Sequence, residues 1–213
     1  MLYFTKTPWW LKSLYPRCVW DIPVADKILY LTFDDGPNPL TTPYVLDRLK
    51  AFDAKATFFC IGKNVIEHSA IYRRILDEGH RVGNHTFNHY NGWKVTDEQY
   101  LQNILQAGKY IDSSLFRPPY GRITRFQVKL LSGIRNSPAN TNFRIIMWDV
   151  LSGDFDTKLS CEQCSANVIK NVRPGSVIVF HDSEKAFPRM KDALPKVLDH
   201  FVAKGFRFDA ISL

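Results

Sequence analysis

ILYLTFDDGPNP, Ile28 to Pro39, decides how the rest of the chain is read. Six apolar, aromatic or β-branched positions followed by an acid describe a buried strand. A second acid, Asp35, and a glycine–proline turn follow at once. Successive strand side chains point to opposite faces, so one solvated edge does not account for both Asp34 and Asp35. An ordinary turn explains Gly36, Pro37 and Asn38 better than it explains two adjacent carboxylates.

Six more runs share this character: ATFFCIG (56–62), RVGNHT (81–86), LFRPPYG (115–121), RIIMWDV (144–150), SVIVFHD (176–182) and FRFDAIS (206–212). Between them lie stretches with apolar residues at i, i+3, i+4 spacing, some opened by a capping residue such as Thr96 and closed by a glycine such as Gly79 or Gly205. The alternation predicts β-α units around a parallel sheet, an α/β fold with seven strands. The polar residues Asp34, Asp35, His85, His89, Arg117, Asp154 and His181 all fall at or just after C-terminal strand ends. In a β/α barrel that end carries the active site.

The 213 residues, 45% hydrophobic, suffice for one core, and no linker or repeat divides them. The excess of 28 Lys and Arg over 21 Asp and Glu is scattered and comes with no nucleic-acid motif, so it reads as solubility and not as a nucleic-acid partner. Lys6 and Pro8 interrupt the N-terminal apolar residues, which leaves neither a signal-peptide core nor a membrane span. As written, the chain reads as soluble and, by default, cytoplasmic, unless an export signal has been removed. Trp9 and Trp10 beside Lys6, Lys12 and Arg17 could rest on a membrane surface, but a segment packed across the base of the domain is the stronger expectation. Cys18, Cys60, Cys161 and Cys164 are too few for a disulfide scaffold, and CEQC lacks the second pair that a structural zinc requires.

His85 and His89 stand four apart in HTFNH, a spacing that suits two metal ligands and equally two histidines capping a core. With Asp35 from a neighbouring strand end they would form a His-His-Asp face that leaves coordination positions open. Asp34 would then be free to take a proton from the attacking water. His181 emerges from four apolar residues onto the same rim, placed to protonate a leaving group. Pro118 and Pro119 stiffen a loop that offers the Arg117 guanidinium and the Tyr120 amide.

TFDDGP (32–37), HTFNH (85–89), RPPYG (117–121), WDVLSGDF (148–155) and VFH (179–181), in this order, resemble the motifs of the NodB-homology polysaccharide deacetylases, carbohydrate esterase family four. The resemblance implies a distorted β/α barrel over residues 28–213, the catalytic domain, with residues 1–27 as an N-terminal segment packed on it. It implies a divalent metal, zinc as a rule, on Asp35, His85 and His89. Asp34 would be the general base held by Arg117, the Tyr120 amide an oxyanion donor, and His181 the acid, oriented by Asp154. Tyr120, Pro119, Phe155 and Val179 would contact substrate, although Phe155 and Val179 stand where the family commonly has tryptophan and leucine. The activity so implied is removal of N-acetyl groups from amino sugars of a glycan or glycoconjugate. An O-acetyl esterase or cyclic-amide hydrolase on the same scaffold is the alternative. A silent glycan-binding module is disfavoured, because Asp34 and His181 are both present and neither is a metal ligand.

Overall fold

Strand β1 (Ile28–Asp34) is buried at every position, as a strand flanked on both edges and covered on both faces must be. The computed structural model describes residues 3–133, 135–136 and 141–213. Around β1 the chain runs through α1 (Trp9–Leu14), α2 (Thr41–Ala51), β2 (Ala56–Cys60), α3 (Gly62–Glu67), α4 (Ser69–Asp77), β3 (Arg81–Asn84), α5 (Asp97–Gly108), β4 (Leu115–Phe116) and α6 (Arg125–Leu131). A two-stranded pair, β5 (Arg135–Asn136) and β6 (Thr141–Asn142), precedes β7 (Arg144–Ile145), β8 (Val150–Leu151), α7 (Cys161–Ile169), β9 (Val177–His181), α8 (Phe187–Val202) and β10 (Arg207–Phe208). Capping boxes Thr96/Gln99, Thr124/Gln127 and Ser160/Gln163 start α5, α6 and α7, each satisfying two of the orphan amides at its helix N-terminus.

Seven strands lie in the order β7-β4-β3-β2-β1-β9-β8, all neighbours parallel, with β10 pairing the start of β1. This curled sheet with its helices is the distorted β/α barrel. The stretch 144–150, expected as one strand, is two. Its first half follows β4, with the Ile146 N–H donating to the Phe116 carbonyl at 2.8 Å, and then it crosses to β9, with the Asp149 N–H donating to the Val177 carbonyl at 3.0 Å. One bent segment therefore joins both edges of the sheet. The expected strand at 206–212 shrinks to β10, and the periodic stretch closed by Gly79 is two helices, broken at His68 (φ −124°, ψ 45°). The break leaves α3 anchored on the histidine loop, where the Gly62 and Lys63 amides donate to the carbonyls of Thr86 and Phe87.

The N-terminal segment meets the base, where the Ile22 N–H donates to the Gly175 carbonyl at 2.9 Å just ahead of β9, and then leaves it. It climbs the bent segment, from Asp21 beside Ser176, through Val19 beside Ile146, to Lys6 beside Val150. Buried Asp149 gathers Lys6, Lys12 (2.6 Å) and the Ser176 hydroxyl (2.6 Å) to hold it there. Under the site, the Phe33 ring stacks between Phe58 (5.1 Å) and Phe180 (6.2 Å), one side chain from each of three adjacent strands. All four cysteines are free thiols, and Cys164 is buried on α7.

Candidate active site

The last residue of β1 carries the first functional group. Asp34, 4% exposed, accepts a hydrogen bond from Arg117 Nη1 at 2.7 Å. The buried guanidinium also donates to Thr32 Oγ1 (2.6 Å) and to the carbonyls of Ile146 (3.1 Å) and Met147 (3.0 Å), and lies 4.0 Å from the Phe59 ring centroid. A fully buried cation is tolerable only with its donors satisfied, and here each nitrogen has an acceptor. Burial lowers the Arg117 pKa and Asp34 pulls it back.

Asp35 leaves the strand with φ 83°, and Asn64 Nδ2 donates to its carbonyl at 2.8 Å. Its Oδ1 lies 3.1 Å from His89 Nε2 and 3.7 Å from His85 Nε2. Ligand atoms of these three residues all lie within 4.8 Å of one another, and they are the one such group among the described residues. His85 Nδ1 sits 2.8 Å from the Arg117 carbonyl, which can only accept, so the proton is on Nδ1 and the Nε2 lone pair faces Asp35. Burial holds the His85 imidazole neutral down to about 4 against the pull of Asp34. Burial also raises the Asp35 carboxyl, but the His89 hydrogen bond and the neighbouring histidines reverse this and leave it below the usual carboxylate range. Two imidazole nitrogens and one carboxylate oxygen suit zinc or a similar first-row divalent ion. Of the five non-glycine residues with positive φ among the described residues, four (Asp35, Thr86, His89 and Tyr120) are at or beside this cluster. Such strain persists where the surroundings over-determine it.

His181 ends β9, whose register sets it directly beside Asp34. Its Nδ1 lies 2.8 Å from Asp154 Oδ1, and its backbone N–H donates to Asp154 Oδ2, also at 2.8 Å. Burial disfavours the imidazolium, yet the charge and hydrogen bond of Asp154, with Asp35 and Asp34 behind, raise the pKa to about 9. Asp182 follows, fully buried, and accepts from the Gly36 N–H (3.0 Å) and the Thr42 hydroxyl. A Cβ at Gly36 would fall 2.0 Å from Asp182 Oδ2, so only glycine lets the turn approach this closely. Burial raises the Asp182 carboxyl to about 8.

These groups open on a cleft of about 360 Å³ lined by Asp34, Asp35, His85, His89, Tyr120, Phe155, Val179 and His181. Arg117 and Asp154 stand behind Asp34 and His181. Pro119 is buried, does not line the cleft, and engages its carbonyl with the Arg122 N–H. Tyr3, Arg122, Trp148, Leu151, Ser183 and Lys185 complete the wall; sequence reasoning gave none of them a role, although Trp148 and Leu151 lie inside the motif WDVLSGDF. Tyr3 arrives on the N-terminal segment, with its hydroxyl donating to Asp156 (3.0 Å) and its ring edge-on to Phe155 at 5.1 Å. Asp182 had a readable signal, a charge directly after an apolar strand and a histidine.

A sequence model of the polysaccharide deacetylase family matches residues 21–133. A peptidoglycan-N-acetylglucosamine deacetylase of Bacillus cereus is 32% identical over 209 residues, covering 94% of this chain and 95% of that protein. The chain belongs to the polysaccharide deacetylase family. A chitooligosaccharide deacetylase of Azorhizobium caulinodans is 34% identical over 161 residues, 72% of this chain and 73% of its own. Among solved structures, a peptidoglycan N-acetylglucosamine deacetylase in complex with 4-naphthalen-1-yl-N-oxidanyl-benzamide superposes with a TM-score of 0.83 at 34% identity, over 95% of this chain and 93% of that one. Within the polysaccharide deacetylase pattern, the two departures both face the cleft: Phe155 lies edge-on to the His181 ring at 5.2 Å, and Val179 packs at the cleft floor.

Proposed function

We propose that this chain is a metal-dependent hydrolase that removes acetyl groups from N-acetylated amino sugars of a glycan. The observation that carries the reading is one cleft holding a carboxylate with no ligand role, an N/N/O ligand set and an imidazolium stabilised by a buried acid. A divalent cation, zinc by the chemistry of the donors, fits Asp35, His85 and His89 and supplies a Lewis acid that acidifies water and polarises a carbonyl.

Asp34, oriented by Arg117, takes the proton of the attacking water as the new C–O bond forms at the acetyl carbon. The Tyr120 amide, in a loop fixed by the Gly121 and Arg122 amides on the carbonyls of Pro118 and Pro119 (both 3.0 Å), donates to the oxygen that becomes anionic. His181 gives its Nε2 proton to the sugar nitrogen as the C–N bond breaks, with Asp154 balancing the charge until then. Leu151 and Val179 offer an apolar wall to the methyl group. On this reading residues 28–213 form the catalytic domain, residues 1–27 brace it, and the partner is an acetylated glycan.

The test is acetate release from N-acetylglucosamine oligomers and from an O-acetylated xylan, with chelator and after zinc is restored. Acetate from the N-acetyl substrate, lost with chelator and regained with zinc, is expected. Release from the O-acetyl substrate alone overturns the reading in favour of an esterase.

A further inference from the structure

Protonating a leaving nitrogen asks more of His181 than charge. Its Nδ1 is tied to Asp154 Oδ1 at 2.8 Å, which fixes one edge of the ring and leaves the plane free to rock about that bond. Nε2 swings with any such rocking. The aromatic ring packed on it is Phe155, edge-on at 5.2 Å with the planes 70° apart. Phe155 lines the cleft and is only half-buried, so it can brace the imidazole only if it is braced in turn.

That second support is Tyr3. Its ring meets Phe155 at 5.1 Å, planes 60° apart, an edge-to-face arrangement that aromatic quadrupoles favour. Its hydroxyl donates to Asp156 Oδ2 at 3.0 Å, the next residue of the same loop. Burial, with Asp156 beside it, pushes the phenol up to about 12, so it remains a donor through the neutral range. The loop is shaped to receive it: Asp156 Oδ1 accepts from the Lys158 N–H at 3.0 Å, which leaves Oδ2 for Tyr3. Gly153 has φ +79°, and a Cβ there would fall 2.8 Å from Leu159 Cδ1 and 3.3 Å from Tyr3 Oη, so a side chain would narrow the gap in which the hydroxyl lies.

Backbone pairing delivers Tyr3 to this place. The Thr7 N–H donates to the Asp149 carbonyl at 2.9 Å and the Leu151 N–H to the Thr5 carbonyl at 2.8 Å, with Lys6 antiparallel to Val150 between them. The same register carried one pair further sets Tyr3 opposite Gly153. Resting on the deacetylase reading above, we propose that Tyr3 is a positioning residue for the acid step: it buttresses Phe155 against the His181 ring, so that the N-terminal segment helps aim the proton at the leaving nitrogen. Tyr3 needs no contact with the substrate to do so.

The test exploits the leaving group. An amide nitrogen must be protonated as it departs, whereas a nitrophenolate leaves unaided. Zinc-loaded wild type, Tyr3→Ala, Tyr3→Phe and, as a control on the same segment, Phe4→Ala are assayed on an N-acetylglucosamine oligomer and on 4-nitrophenyl acetate. Tyr3→Ala is expected to lose roughly tenfold in kcat on the oligomer, equivalent to about 1.4 kcal/mol of barrier, with KM and the ester rate within about twofold of wild type. Tyr3→Phe should keep most of the amide rate, and Phe4→Ala all of it. Equal losses on both substrates, a loss confined to KM, or the same loss in Phe4→Ala overturns the assignment. If no protein releases acetate from the oligomer, the deacetylase reading fails, and the ring signal of His181 in protein carrying ¹³C-labelled histidine, identified by its absence in His181→Ala, decides the buttress alone. That signal should shift or broaden in Tyr3→Ala and not in Phe4→Ala; a signal unmoved by Tyr3→Ala overturns the buttress.

Discussion

Asp34 and Asp35 are adjacent, yet one faces a guanidinium and the other two imidazoles. Asp34→Asn is expected to lower kcat by roughly 10²–10⁴, the range for losing a general base, while zinc content by elemental analysis stays near one per chain. Asp35→Asn should lose the zinc as well; equal metal loss in both would merge their roles. His181 is the second case of environment deciding chemistry. Its imidazolium, held to about pH 9 chiefly by Asp154 against the cost of burial, loses that support in Asp154→Asn. The basic limb of the pH–kcat profile is then expected to move to lower pH, with metal content unchanged; a limb that stays in place would remove His181 from the acid role. Residues of this kind were legible in the sequence, because charged types at the ends of apolar runs have few bland explanations. The partners that tune them were not: the Ile146 and Met147 carbonyls on Arg117, Asn64 on Asp35, and Tyr3 beside Phe155 come from distant chain.

Elements fared by how local their causes are. The α5, α6 and α7 starts are written in three or four residues each, as capping boxes, and Thr96 was readable as such. The stretch 144–150 looks like one strand because its residues suit one, but its two halves bond to opposite sheet edges, and no local propensity encodes a change of partner. The N-terminal segment keeps its Asp21 end at the base, as read, but what draws the rest up the sheet is Asp149, a residue more than a hundred positions away. Asp149→Ala removes the acceptor for Lys6, Lys12 and Ser176. Both lysines are partly exposed and can regain water, so the cost should sit at or below the ~3 kcal/mol lower bound for breaking a buried pair. It should appear as a lower urea midpoint at unchanged slope, with faster proteolysis ahead of Asp21. An unchanged midpoint would mean the segment is held by its backbone pairing alone.

For the whole molecule, titration at the site becomes stability. His80 and His85 are held neutral down to about pH 4 by burial, whereas the unfolded chain takes up their protons near 6.5. Their contribution is complete above 6.5 and is lost as pH falls toward 4. His181, raised to about 9, contributes fully below 6.5 and loses this as pH rises through 9. Asp182, raised to about 8, gives up its share between about 4 and 8, which flattens the acid side and steepens the alkaline one. The metal-free protein should therefore show its highest Tm near pH 6–7 by calorimetry, and a Tm still rising at pH 9 would contradict these assignments. Zinc at a hundred times its Kd should add about 2.7 kcal/mol, or roughly 5–10 °C for a chain of this size. One last consequence lies in the grip of Arg117 on Thr32 and Asp34 on one side and on the carbonyls of Ile146 and Met147 on the other. On a ribosome, a nascent chain that has emerged through Gly133 already holds both aspartates, His85, His89 and Arg117, but neither carbonyl that anchors the guanidinium and no His181. Hydrolytic competence thus waits for the stretch beyond Gly133, so a product cut off before His181 lacks both the anchoring carbonyls and the acid, and turnover itself reports that β7, β8 and β9 have joined the sheet.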